Sequence, residues 1–165
     1  MTLEPFQHKL LQLYKDQELQ MASLYEKMAQ SFPTYADQFL ALAGEEREHA
    51  GWIDHLENCV STGTAAFSEG KTRTYTLTAL ITYVQGILAA LEAGTLDLPK
   101  ALSLVVDTEK SFIERNVFDR FAGDSPEVQR ILQILDDTQQ DHLVRIDQFA
   151  RQVRSDLATA ARRCH

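Results

Sequence analysis

Two stretches of the chain repeat apolar residues at alternating steps of three and four, the spacing that lines one buried face of a helix. A polar pair interrupts each stripe at its centre. In the first stripe Glu46 stands three residues before His49, and in the second Gln139 stands three before His142. Burying a lone Glu or His is costly unless a partner or a metal compensates for the lost water. The pattern therefore predicts a site inside a helical bundle. The two stripes are Phe39, Leu42, Glu46, His49, Ile53, Leu56, Val60 and Val128, Leu132, Leu135, Gln139, His142, Ile146, Phe149, Val153.

Two further stretches carry a single Glu at the centre of the same kind of stripe. Glu18 precedes His49 by 31 residues. In the second half of the chain, Glu109 precedes His142 by 33 residues. This weak internal repeat predicts two helical hairpins that pack with approximate two-fold symmetry and bring the central polar residues to one level. The two stripes are Leu10, Tyr14, Glu18, Met21, Tyr25, Met28 and Leu102, Val105, Glu109, Phe112, Asn116.

Prolines, glycines and capping residues indicate where the helices begin and end. We predict helices over residues 5–30, from about 35 to 58, and over 75–92, 98–121 and 126–157, with Ser125 capping the last one. No alternating strand pattern competes with these helices. The expected fold is therefore all-α: a single domain of residues 1–165 containing a four-helix bundle. Residues 61–97 form a crossover connection that carries an additional helix, and residues 158–165 form a frayed tail.

Composition excludes several classes of function. A net charge of -8 argues against nucleic-acid binding, which needs a clustered basic face. Cys59 and Cys164 are too far apart in sequence to form a CxxC pair, so a zinc ribbon or an iron knuckle is excluded. The chain has neither a basic segment followed by an apolar run at its start nor 18 consecutive apolar residues. We therefore expect a cytoplasmic protein without a membrane partner.

The central polar residues are the candidate metal ligands. Carboxylate oxygens and imidazole nitrogens together suit iron, manganese or zinc. A Glu from each of two helices and a Glu-x-x-His pair from each of the other two form the di-iron site of helical bundles. Alternatively, a pair such as Glu46 and His49 is a buried ion pair that specifies the register of the bundle. The candidate set is Glu18, Glu46, His49, Glu109, Gln139 and His142.

Over residues 10–153 the chain resembles the rubrerythrin-like branch of the ferritin-like superfamily. The resemblance implies a four-helix bundle with a di-iron centre that oxidises ferrous iron, reduces peroxide or performs other oxygen chemistry. It also implies a homodimer, and Tyr25 matches a tyrosine beside the metal centre. Glu46 would bridge two metals, Glu18 and Glu109 would be terminal carboxylates, and the two histidines would supply nitrogen. The residues that carry the resemblance are Glu18, Tyr25, the run Glu45-Glu46-Arg47-Glu48-His49-Ala50, Glu109-Lys110, Phe112, Ile113 and His142.

Three departures from the rubrerythrin pattern leave the number of metals and the activity open. Gln139 stands where the second bridging Glu belongs, and Phe112 stands where rubrerythrins tend to carry another Glu. The iron–sulfur knuckle is absent, so electrons would come from a separate donor. The expected function is a di-iron or degenerate di-iron oxidoreductase holding one or two iron ions, with zinc or manganese as other candidates. The alternative is a non-catalytic ferritin-like module that binds metal or another protein.

Overall fold

The computed structural model describes residues 3–113 and 117–163 of the chain. Over these residues the protein is all-α, as predicted, with two very short strands. The five helices are α1 (Pro5–Ser31), α2 (Ala36–Ser61), α3 (Thr74–Glu92), α4 (Leu98–Ile113) and α5 (Pro126–Arg163). The strands are β1 (Ala66–Phe67) and β2 (Phe121–Ala122), and single 3-10 turns span Pro33–Tyr35 and Phe118–Arg120.

Local side-chain chemistry explains where several helices begin and end. At the start of α4, Asp97 Oδ1 accepts a hydrogen bond of 2.8 Å from the backbone N–H of Lys100. Ser125 Oγ accepts one of 3.2 Å from the N–H of Val128 at the start of α5, which confirms the predicted cap. Gly94 follows the end of α3 with a φ of 67°, a left-handed conformation that favours glycine there.

Two predicted helix ends were wrong. We predicted a fourth helix to residue 121, but α4 is described only to Ile113, and Asn116 lies outside the described residues. Near the predicted end, β2 pairs antiparallel with β1, and the Phe67 and Phe121 rings lie 5.0 Å apart. This pairing requires extended backbone. At the other end, α5 continues to Arg163, past the end predicted at residue 157, through an Ala-rich segment of high helix propensity.

The helices adjacent in sequence form two antiparallel hairpins, α1 with α2 and α4 with α5. In the first hairpin, Lys15 pairs with Asp54 and Glu26 pairs with Arg47, so α2 runs back along α1. In the second, His142 Nε2 lies 3.0 Å from Glu109 Oε1. The hairpins contact each other mainly through α2 and α5, and α3 packs against α1.

A layer of polar side chains divides the interior of the bundle. One hydrophobic cluster includes Met21, Phe39 and Val105, and the other includes Leu10, Ile53 and Leu135. The residues at the centres of the four stripes lie between the two clusters along the helices. The predicted buried faces of α1 and α2 are confirmed, since every stripe residue on them is buried. The buried charged residues of the layer are Glu18, Glu46, His49, Glu109 and His142.

Helix α3 lies on the outside of the bundle and is unusually apolar. By length and composition it is the one helix among the described residues that could cross a membrane, and 22% of its 18-residue apolar window is buried. Leu77, Val84 and Ile87 face the bundle. Tyr75 is 72% exposed because it lies on the opposite side of the helix.

Candidate metal centre

Helices α1, α2, α4 and α5 each place at least one charged side chain in the polar layer. Each of these residues lies well inside its helix, where the backbone is fixed by hydrogen bonds on both sides. None of the five side chains is more than 8% exposed. The structure therefore gathers five of the predicted ligands in one place: Glu18, Glu46, His49, Glu109 and His142.

Glu46 belongs to two groups of potential ligands that meet at its carboxylate. The first group consists of Glu18, Glu46 and His49, and the second of Glu46, Glu109 and His142; within each group the candidate ligand atoms lie within 4.8 Å of one another. His142 Nε2 is 2.9 Å from Glu46 Oε1. On the other side, His49 Nδ1 is 3.5 Å from Glu46 Oε2. The two oxygens of one carboxylate thus face two different imidazoles, and either group could hold a metal ion.

Tyr25 contacts the second of these groups. Its hydroxyl donates a hydrogen bond of 2.5 Å to Glu109 Oε1, and it lies 3.5 Å from His142 Nε2. The Tyr25 side chain is fully buried, so this hydroxyl has no access to bulk water. The structure therefore places Tyr25 beside the polar centre, as the resemblance implied, with its oxygen on Glu109.

Two residues that were not among the predicted site residues complete the surroundings of His142. Glu45 Oε2 lies 2.8 Å from His142 Nδ1. Arg145 in turn holds Glu45 through both guanidinium Nη atoms, one of them 2.5 Å from Glu45 Oε1. The signal was present in the sequence, because Arg145 follows His142 by three residues and therefore lies on the same side of α5.

Burial and mutual charge shift the protonation of the centre. Burial is the main cause that raises the pKa of Glu18 to about 8. Burial and the charge of Glu46 raise the pKa of Glu109. Burial alone would also raise the pKa of Glu46, but the imidazoles of His142 and His49 outweigh it and hold the pKa well below its ordinary value. Glu46 is therefore ionised at neutral pH, and it lies at the middle of the site.

The two histidines carry the compensating positive charge. Burial opposes protonation of His49, but its contacts with Glu18 and Glu46 raise its pKa to about 10. For His142, contacts with Glu109 and Glu45 likewise outweigh burial and raise the pKa to about 12. Protons thus balance the buried carboxylates at neutral pH in the metal-free protein, and they occupy nitrogen and oxygen atoms that a cation would need.

A small cavity of about 20 Å³ lies at the centre of the polar layer. Gln139 and Phe112 line it together with the five charged residues. Gln139 is therefore at the site, as its spacing predicted, but it contributes a neutral amide. Neighbouring Asp141 is exposed and does not take the place of a second bridging carboxylate.

Comparisons with known proteins add no identification. No family model matches the chain, and no curated protein and no solved structure matches it either. What the centre can do is therefore inferred from its own residues.

Proposed function

We propose that the protein is a rubrerythrin-like, ferritin-like bundle that binds iron and acts on peroxide, dioxygen or ferrous iron. The observation that carries the proposal is the shared carboxylate. Glu46 faces an imidazole on each side, and each imidazole has a second Glu of its own. Two metal positions that share one carboxylate are what a bundle needs to hold a pair of metal ions close together.

The chemistry of the residues fits a metal better than it fits a packing role. Glu46 Oε1 accepts no hydrogen bond from any described residue, although the oxygen is fully buried. The ring N–H of His142 is aligned with Glu109 instead. In the metal-free protein the charge of His142, with Nε2 2.9 Å away, compensates this oxygen without an aligned hydrogen bond, and a bound cation would take the place of that charge. The central cavity of about 20 Å³ exceeds the roughly 10–15 Å³ that one water-sized species requires.

Each residue of the centre has a defined part in this proposal. Glu46, Glu18 and Glu109 would supply carboxylate oxygens, and the two histidines would supply nitrogen. Tyr25 orients Glu109 through its hydrogen bond, and the apolar clusters above and below the layer exclude bulk water. Bound iron would supply the change of valence that these side chains lack.

The expected partners belong to the same proposal. Peroxide reduction consumes electrons, and the described residues contain no cluster of cysteines that could store them. A separate electron donor in the cytoplasm is therefore part of the proposal. A homodimer is proposed from the resemblance alone, and sedimentation equilibrium of the purified protein tests it.

A second candidate is a non-catalytic bundle that holds one metal ion or a protein partner. Gln139 favours it, because the amide lines the cavity where a second bridging carboxylate would stand. With Glu18, Glu46 and Glu109 as the only carboxylates, the site would compensate only part of the charge of two ferric ions. A neutral amide oxygen adds nothing to that balance and bridges metals more weakly than a carboxylate.

The metal content per chain tests both candidates. The protein is produced with iron available, purified without chelators and submitted to elemental analysis, followed by a peroxide-consumption assay with an artificial electron donor. About two iron atoms per chain with peroxide turnover would support the oxidoreductase. One metal ion without turnover would support the second candidate, and no metal under any loading condition would refute both.

The Gln139→Glu variant separates a weakened site from an active one. If the native protein lacks turnover because of Gln139, the added carboxylate should raise the metal content towards two and create oxidase activity. If the native protein is already active, the substitution should change the rate without being required for it. Gln140→Glu is the matched control, since Gln140 is the exposed neighbour of Gln139 on α5.

A further inference from the structure

Two charged residues at the edge of the centre are not among the proposed ligands, yet they contact one of them or each other. Glu45 is on α2, next to Glu46 in sequence, and its side chain is 27% exposed. Arg145 is on α5 and is half-exposed. Together they connect the buried His142 ring to the surface of the protein, and the connection crosses between the two helical hairpins.

We propose that Glu45, held in place by Arg145, is a positioning residue that makes the His142 position the tighter of the two metal positions. The inference rests on the proposed function. A carboxylate that accepts a hydrogen bond from one ring nitrogen of a histidine fixes the tautomer and rotation of the ring, so that the other nitrogen faces the metal. Glu45 lies 2.8 Å from His142 Nδ1, and Nε2 on the other side of the ring faces Glu46 and Glu109.

The ion pair with Arg145 keeps Glu45 in this orientation. A partly exposed Glu side chain on its own would lose rotamer freedom by staying on His142. The guanidinium contacts both carboxylate oxygens of Glu45, and such two-point pairs are geometrically specific. Arg145 thereby holds the Glu45 carboxylate in an orientation in which Oε2 contacts His142 Nδ1.

The His49 position has a different environment. His49 Nδ1 is 3.5 Å from Glu46 and 3.6 Å from Glu18, longer than the corresponding 2.9 Å and 3.0 Å distances at His142. The ring of His49 packs edge-on against Phe118, with centroids 6.4 Å apart. The ligands of the His142 position are therefore already close together in the metal-free protein, and once the proton on Nε2 has left, less rearrangement is needed to bind there.

A stepwise metal titration tests the inference. Cobalt(II) is titrated alone into the metal-free protein against a chelator, because its visible absorption reports the ligands it acquires. We expect two binding steps for the native protein. Glu45→Ala should weaken the tighter step by about 10–100-fold and change its spectrum, while the weaker step is retained. Glu45→Gln should weaken it less, since the amide oxygen still accepts a hydrogen bond without the charge.

The chain offers a matched control for loss of a surface ion pair. Glu26 pairs with Arg47 at 2.5 Å across α1 and α2, with exposure similar to that of Glu45 and Arg145, and it contacts none of the proposed ligands. Glu26→Ala should leave both cobalt steps unchanged. A second readout needs no metal: the His142 Nδ1 proton should give a hydrogen-bonded NMR signal that is lost in Glu45→Ala.

The possible results distinguish the inference from the proposed function. If the native protein binds no cobalt or iron, both are overturned. If the native protein binds metal and Glu45→Ala binds it equally tightly, only the role of Glu45 is overturned. Equal weakening by Glu26→Ala and Glu45→Ala would also overturn it, because the effect would then be a general loss of stability.

Discussion

Replacing Glu46 by Gln should abolish metal binding at both positions at once. Among the described residues Glu46 is the one carboxylate common to the two ligand groups, and its pKa is held well below the ordinary value, so it is ionised. The Gln side chain keeps the size and one carbonyl oxygen but removes the charge that attracts a cation. Loss of any other single ligand would leave one group intact, so this variant has the largest expected effect.

The expected magnitude follows from binding linkage. A metal present at about 100 times its dissociation constant stabilises the folded state by about 2.7 kcal/mol. For a chain of this length, 1 kcal/mol corresponds to roughly 2–4 °C in Tm. Metal should therefore raise the Tm of the native protein by about 5–11 °C and leave that of Glu46→Gln unchanged. Without metal, the variant should already be less stable by on the order of 3 kcal/mol, because the buried histidines lose their counter-charge.

The assay compares Tm with and without iron(II) under anaerobic conditions, and equilibrium dialysis gives the metal bound per chain. Glu48→Gln is the control, because Glu48 is an exposed carboxylate two residues away on the same helix. Glu48→Gln should behave like the native protein in both measurements. If Glu46→Gln binds as much iron as the native protein, or shows the same rise in Tm, the assignment of Glu46 as the shared ligand is refuted.

Three further predictions concern pH, Tyr25 and the end of α3. Folding raises the pKa of Glu18 to about 8 and that of His49 to about 10, so both groups hold protons in the folded state that the unfolded chain releases. Their contribution to stability is complete below the unfolded pKa values and is lost as pH rises through the folded ones. Urea unfolding of the metal-free protein should therefore show a lower midpoint at pH 9.5 than at pH 6. Metal affinity should rise over the same range, because the protons that compete with the metal leave. An unfolding midpoint that does not change with pH would contradict this protonation scheme. Tyr25→Phe removes the donor to Glu109, which should destabilise the protein by about 1–2 kcal/mol in urea and weaken metal binding in dialysis; unchanged values of both would show that the short contact contributes nothing. Gly94→Ala should cost about 1 kcal/mol in thermal unfolding, because φ at this position is 67°, and an unchanged Tm would mean that the turn adjusts freely.

Much of the fold follows from local patterns in the sequence. The periodic stripes and the capping residues located the five helices of the described residues, and every residue that the stripes selected on α1 and α2 is buried. The ends of α4 and α5 were less predictable. β1 and β2 pair across more than 50 residues of chain, and no local sequence pattern predicts either strand. The pairing depends on where Phe67 and Phe121 meet in space.

Some features of the candidate centre were likewise predictable from the sequence, and others depend on the tertiary structure. The sequence by itself determined that the five charged residues of the centre lie on buried helix faces, because the periodicity of a helix fixes which side chains point inward. The resemblance implied a bridging role for Glu46, but only the tertiary structure decided which groups meet at its carboxylate and that Glu45 contacts His142. Both features depend on the axial register of one hairpin against the other, which side chains from several helices set together. No stretch of sequence encodes that register locally, so contacts across the hairpins became visible only in the packed bundle.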